Sequence, residues 1–513
     1  MSLRWIAIAT IVMVILVAIT FNTFRYFGTS ESETLKIAIP TDISTIDIHF
    51  AKGVSDFEIL SKVYESLFKI CFDSTSNKLI YKPWLIKSFV QINETCWVFI
   101  LRNNIYFHNG KELTSDDVKC SLERAMKIGP IGRMLLRDAE GNPIIREIKI
   151  LNKTTFALTL NKPFYPLIEN LAHLATAIIP KEICKKYFDG PITNLSDVIG
   201  SGPYKLVEYE RGKGAKLVFF NNYWGLKPRI KNVEYLILPD SNARVSALLT
   251  GQVDVILGVP PELIQQLKEK NFKIYNITGV RLVLIAINVK RIPDVRIRQA
   301  LNYAIDKELI VKNMLHGYAR VADSVVSPVF PDAAKLQIYR YDPARAHQLL
   351  KESEWINKTL KLLVSTRSPT DIEVAQVVQS FLKRIGIEVV IEELEHTAFL
   401  KKVFMDHDFD LALYGPTPSS LYYALTYWRT GAALNAPQYT NPTVDKLLDK
   451  VASEKDPSKR TEIYKTIQKA IWEDCPAIWL YFENVIIASK TTIKELKILP
   501  FQMLELERVS IDE

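Results

Sequence analysis

Between residues 360 and 413 the apolar pattern keeps changing its period. Residues 360–365 read as a strand, 373–385 as a helix, 388–392 as a strand and 409–413 as another strand. Elements alternating in this way bury their apolar faces by layering helices on a sheet, which fits an α/β lobe with a mixed sheet. Upstream, residues 294–311 (DVRIRQALNYAIDKELIV) read as a helix pair. Asp294 is placed to cap the first helix, and Ile297, Ala300, Leu301, Ala304 and Ile305 share its apolar face. Arg296, Arg298, Gln299 and Asn302 take the other face. Asp306 caps the second helix, whose apolar side is Leu309, Ile310, Met314 and Leu315.

A chain of 513 residues is too long for one core, so two or three domains are expected. The net charge of +8 is modest for this length and no Lys/Arg run accompanies it. The excess reads as solvated surface rather than a nucleic-acid footprint. The five cysteines stand singly without a CxxC spacing, which argues against a zinc or thioredoxin-like site. If the chain is exported, their odd number leaves at least one thiol free or paired between chains, and spacing does not say whether any disulfide forms. At the N-terminus Arg4 precedes an uncharged apolar run, residues 5–24, ended by Arg25. The run is long enough to span a membrane, so it reads either as an uncleaved anchor or as a cleaved signal peptide. Both readings put the rest of the chain outside the cytoplasm. Residues 28–33 (GTSESE) are a polar linker.

Several short motifs succeed one another along the chain. Residues 35–40 (LKIAIP) have a strand pattern and run into a turn carrying Thr45, Ile46, Asp47 and His49. Residues 57–69, with VYESLF, have helical spacing. Residues 96–107 alternate and turn at Asn103-Asn104, a hairpin signal. Asn109-Gly110 is a tight turn, and Thr114 with Asp117 forms a capping box opening a helix through Met126. In IGSGPYKL, Gly200, Gly202 and Pro203 allow a sharp turn into a strand where a β-carbon would be strained. No helix start comes after it, so this is a poor phosphate loop.

These segments resemble, in order, motifs of the family 5 extracellular solute-binding proteins, the oligopeptide- and dipeptide-binding receptors of bacterial ABC importers. DVRIRQALNYAIDKE is similar to the family's DVRVRQALNYAIDRE, SGPYKL to TGPYKL, VYESLF to VYEGL, and FHNGKELTSDDVKCSLER to FHDGTPLTAEDVVFSLER. The turn at Asp47 and His49 matches TLDPH, with Ile48 in place of the proline. The resemblance implies a two-lobed α/β periplasmic-binding-protein fold of type II, with the extra subdomain of the peptide-binding class. It implies residues 1–33 as signal or anchor, 34–55 with 190–275 and 480–513 as a discontinuous lobe I, 56–189 as subdomain II, and 276–479 as lobe III. The implied activity is that of a monomeric periplasmic receptor handing peptide or peptide-like solutes to a membrane permease, tethered to the inner membrane if residues 5–24 stay uncleaved. Sugar, opine or metal-chelate binding is the alternative within the family. A membrane-anchored peptide sensor or chaperone is the alternative outside it.

No HExxH, GxSxG, GxxxxGK[ST] or GxGxxG pattern occurs, and no cofactor, metal site or enzyme activity is expected. His407, between Asp406 and Asp408, reads as part of a charged loop. In the family's peptide receptors an Asp after the strand FDxxxxGW pairs with the ligand's amino terminus. Here that strand is residues 409–415, and the loop holds Pro416, Thr417, Pro418, Ser419 and Ser420, with no Asp. The candidate ligand residues are therefore Tyr414, Thr417 and Ser419, the aromatic cluster Tyr422, Tyr423, Tyr427 and Trp428, and Arg429 beside it. Arg281, at the start of the crossing strand, either pairs a ligand anion or is a surface arginine. His49 is either a ligand contact or a hydrogen-bonded turn residue.

Overall fold

A computed structural model describes residues 34–138, 140–353 and 359–512. The run at 5–24 lies outside the described residues. Among those described, no helix is long and apolar enough to cross a membrane. One mixed sheet runs through two lobes. Its strands take the order Val389–Leu394, Leu360–Ser365, Leu411–Tyr414, Lys273–Ile287, Ala477–Ser489, Val255–Leu257, Thr34–Ile39, Asn232–Ile237, Gly214–Phe219 and Tyr204–Glu210. Leu360–Ser365 is parallel to both of its neighbours, as is Thr34–Ile39, and the other pairings are antiparallel.

Two long strands carry the chain between the lobes. The crossing strand, Lys273–Ile287, pairs with the return strand, Ala477–Ser489, from Lys273 opposite Ser489 to Ala286 opposite Ala477. Pairing is interrupted between Thr278 and Leu282. Strand side chains alternate between faces, so Leu282, Leu284 and Ala286 enter one core of the second lobe and Val283, Ile285 and Ile287 enter another. Both faces are covered, and the strand therefore reads as an unbroken apolar run.

A four-stranded antiparallel sheet, Ile86–Asn93, Cys96–Leu101, Thr155–Leu160 and Ile145–Asn152, has a core of its own beneath helix Ser115–Ile128. That helix opens on the capping box, with the Thr114 N–H donating to Asp117 at 2.8 Å. A disulfide joins its Cys120 to Cys184 of helix Lys181–Lys186. Cys71, Cys96 and Cys475 are free thiols.

Three local expectations differ from the structure. The helical pattern of residues 57–69 yields only helix Val54–Leu60. Beyond it, the Lys62 and Val63 carbonyls accept the N–H groups of Tyr204 and Gly202 at 3.0 and 2.9 Å, so they are taken by the GSGPY loop. Asn104 does turn the chain, with φ of 60°, but Cys96–Leu101 pairs with Ile86–Asn93 and Thr155–Leu160, not with the segment after the turn. In the helix pair, Leu309 is exposed. The buried Lys307 takes the inner side of that turn, donating to the Asn302 and Tyr339 carbonyls at 2.9 and 3.0 Å.

Candidate functional site

The four-stranded domain and the second lobe touch directly. The Tyr165 N–H donates to the Ala452 carbonyl at 2.8 Å and the Phe164 and Tyr422 rings meet edge to face at 5.4 Å, while on the adjoining two-stranded hairpin, Phe68–Asp73 with Lys78–Pro83, the Leu79 N–H donates to the Val329 carbonyl at 2.7 Å. A cavity of about 370 Å³ lies between the parts. The segment at residues 57–65 gives it Phe57, Lys62 and Glu65, the part around the four-stranded sheet Lys69, Trp84 and His173, and the second lobe Thr417, Ser419, Tyr423 and Tyr427. The chain's end completes it through Phe501, Glu505 and Glu507.

That last wall is a hairpin, Lys497–Leu499 with Met503–Glu505. It is pinned to helix Val54–Leu60, where the buried Glu58 accepts the Leu504 N–H at 2.8 Å and Lys62 donates to the Leu504 carbonyl at 2.7 Å. The Pro500 carbonyl accepts the Val280 N–H of the crossing strand at 3.1 Å. Glu505 and Glu507 alternate with the buried Leu504 and Leu506. This period-two pattern is the only local signal for the two acids, and sequence reasoning misses them.

Lys69 bridges the two acids, 3.1 Å from Glu505 and 2.8 Å from Glu507, and lies 4.6 Å over the Trp84 ring. Burial alone would lower the Lys69 pKa, but the two carboxylates outweigh it and hold the ammonium charged. Burial likewise opposes Glu507, and Lys69 still pulls its carboxyl below the ordinary range. Two carboxylates against one ammonium leave this corner of the cavity negative. Deeper in, Glu65 accepts four hydrogen bonds, from Trp84 at 2.7 Å, Tyr223 at 2.9 Å, Ser201 at 2.7 Å and Trp224 at 2.9 Å. Burial raises its pKa against those donors. Burial also lowers His173 to about 4, so its ring is neutral. Its Nδ1 accepts the Ala175 N–H at 2.9 Å, which places the ring proton on Nε2.

The candidate residues separate into two groups. Thr417, Ser419, Tyr423 and Tyr427 line the cavity together. The others are not among its lining residues. Tyr422 packs on Phe164, Tyr414 packs on Phe404 at 5.3 Å, and Trp428 is buried against Trp479 at 5.3 Å. Arg429 pairs with Asp449. Arg281 stands where pairing of the crossing strand breaks, donating to Glu483 at 2.8 Å and Asp371 at 3.0 Å. Those two acids raise its pKa against burial. A Cβ on Gly415 would lie 2.5 Å from its Nε, so the guanidinium fills the space beside the altered loop. His49 is fully buried: its Nδ1 accepts from Arg124 at 2.8 Å and its Nε2 donates to the Ala177 carbonyl at 2.9 Å. Arg124 also forks onto Asp47, so this turn clamps helix Ser115–Ile128 to the first lobe. His407 is 3.3 Å from the Ala436 carbonyl through Nδ1, and among the described residues no group of His, Cys, Asp and Glu is placed to hold a metal ion.

A cavity between two lobes that share one sheet is the geometry of a solute receptor, and comparison with known proteins assigns the family. Residues 81–434 match the family described as Bacterial extracellular solute-binding proteins, family 5 Middle, and the chain belongs to that family. It is similar to the glutathione-binding protein GsiB of Salmonella paratyphi A, 27% identical over 504 residues, covering 93% of this chain and 94% of that protein. Among solved structures it is similar to NikA from Staphylococcus aureus in complex with Ni(L-His)2, with 25% identity, a TM-score of 0.78, and coverage of 94% and 100% of the two chains. It is similar as well to the oligopeptide-binding protein AppA from Bacillus subtilis in complex with a nonapeptide, with 25% identity, a TM-score of 0.77, and coverage of 94% and 99%. The chain is thus the substrate-binding component of an ABC importer, a binding protein and not an enzyme.

Proposed function

We propose that this receptor takes a short peptide or peptide-like solute whose ammonium group is held by Glu505 and Glu507. The observation that carries this reading is the acid pair of the C-terminal hairpin, which faces the cavity with one lysine between its two carboxylates. A peptide ammonium needs a carboxylate when it leaves water, and the loop at residues 416–420 has none. The hairpin acids supply that charge from the other wall. Lys69 is placed to take a ligand carboxylate, and Thr417, Ser419 and Tyr423 give adaptable hydrogen bonds.

Size supports the same reading. A cavity of about 370 Å³ is near the lower end of small-ligand pockets, which run from roughly 300 to 1,000 Å³. It suits a solute of a few residues, in the class of the glutathione bound by GsiB, better than an extended nonapeptide. A metal chelate is the second reading. It is favoured by the likeness to NikA.

The receptor works outside the cytoplasm, in the periplasm of a two-membrane cell, and delivers its solute as a monomer to the permease. The disulfide between Cys120 and Cys184 suits that oxidising side of the membrane. Residues 5–24 then serve as export signal or inner-membrane tether.

Calorimetric titration with trialanine and with N-acetyl-trialanine tests the assignment. Loss of a hydrogen bond to a charged group costs about 1.5–3 kcal/mol, so the blocked peptide is expected to bind roughly 10- to 100-fold more weakly. The double substitution Glu505→Gln, Glu507→Gln should remove that preference. Equal affinity for the two peptides would sink the ammonium reading. A nickel–histidine complex that binds when neither peptide does would select the chelate.

A further inference from the structure

The contact between the four-stranded domain and the second lobe contains an acid that the cavity does not use. Glu169, on helix Leu167–Leu171, follows Phe164 and Tyr165, whose contacts cross this seam. Its Oε2 is buried and lacks a hydrogen-bond partner. Ser420, whose oxygen accepts the Tyr423 N–H at 3.2 Å, acts on the carboxyl from the second lobe. Arg460 and Tyr464 act on the carboxyl from helix Pro457–Asp474, Asp332 from the loop at residues 331–340, and Tyr81 from strand Lys78–Pro83.

None of these neutralises the acid by direct pairing. Arg460 uses Nη1 on the Glu454 and Lys455 carbonyls, both at 2.9 Å, and its guanidinium lies 5.2 Å over Tyr165. Asp332 accepts from Thr461 at 2.8 Å and adds a like charge. Burial, opposed by Ser420 and by Arg460 at longer range, pushes Glu169 up to about 7. When the lobes part, the same carboxyl meets water and returns toward its ordinary value of 4.5.

We propose that the seam around Glu169 is a proton-linked latch: the lobes close with a proton on this carboxyl, so falling pH tightens closure and rising pH loosens it. The sign comes from linkage. The closed form binds the proton more tightly than the open form, so closure takes up a proton between the open and closed titration points. Above the closed one, closure requires a bare carboxylate in the seam. The effect belongs to the lobes themselves and is independent of which solute fills the cavity.

Hydrogen exchange of the intact, ligand-free chain reads the latch directly. The Tyr165 and Leu79 amides donate across the seam and lose those partners on opening. After correction for intrinsic exchange chemistry, their protection factors are expected to fall roughly 10- to 30-fold from pH 5.5 to pH 8. In Glu169→Gln, which keeps the shape and removes the titration, protection should be flat across that range and exceed wild type at pH 8. Flat protection in the wild type overturns the proposal whether or not the variant folds. An equal slope in wild type and Glu169→Gln overturns it as well, by assigning the effect to another group.

Discussion

Arg124 illustrates how one side chain can hold two parts of a protein together. It is fully buried, and its donors go to Asp47, His49 and the Tyr187 and Gly190 carbonyls. Burial would raise Asp47, but the Arg124 hydrogen bonds and charge hold its carboxyl below the ordinary range. Arg124→Met leaves that carboxylate buried without its partner and is expected to cost about 3–5 kcal/mol, read from urea unfolding. A loss below about 1 kcal/mol would mean that the clamp is dispensable. The histidines make a second test. Burial lowers His49, His108 and His173 to about 4, first by desolvation in each case. In the unfolded chain they charge near 6.5, so each withdraws stability as pH falls from 6.5 towards 4. Ring titrations by NMR should show these three neutral at pH 5.5, and a midpoint near 6.5 for any of them would contradict its burial.

Among the elements, the loop at residues 199–203 shows how a motif can be legible while its reason is not. In the sequence, the two glycines read as relief of strain at a sharp turn. The structure gives close approach instead: a Cβ on Gly200 would lie 1.9 Å from the Val63 carbonyl oxygen, and one on Gly202 2.6 Å from that of Lys62. Gly200→Ala is expected to destabilise by about 3 kcal/mol or more. Gly190→Ala, with nothing within 4 Å, should change stability by less than about 0.5 kcal/mol. Equal losses for the two in thermal unfolding would remove the close-approach explanation. The disulfide is beyond the reach of spacing, because Cys120 and Cys184 are 64 residues apart and meet only when two helices pack. In the chain-entropy view, closing such a loop contributes about 4 kcal/mol. Reduction, or Cys120→Ala with Cys184→Ala, should lower the urea midpoint of the four-stranded domain accordingly.

Across the full chain, the parts legible in the sequence are those fixed by local chemistry. The caps at Asp294 and Asp306 accept from Arg296 and Leu309 as their spacing implies, at 2.8 and 2.9 Å. The alternation over residues 360–413 becomes the outer strands of the mixed sheet. The cavity is less legible, because long-range folding assembles it. Thr417, Ser419 and Tyr423 are within reach of sequence reasoning, through the loop where the family's acid is missing. Glu505 and Glu507 become neighbours of Lys69 only once the end of the chain folds back onto its beginning. Arg281 looks suited to a ligand because its strand crosses between the lobes. The structure gives it Glu483 on the return strand and Asp371 on helix Pro369–Arg384, which sequence separation hides.

Native mass spectrometry of the chain purified from a bacterial host, with released small molecules treated with an amine-reactive label, is the most direct test of what the cavity holds. The expected result is a narrow set of co-purified masses, corresponding to roughly two to four amino-acid residues in a pocket of this size, each taking up the label. A ladder reaching long peptides, or a ligand that carries no amine, would contradict the assignment of Glu505 and Glu507 to a short ammonium-bearing solute.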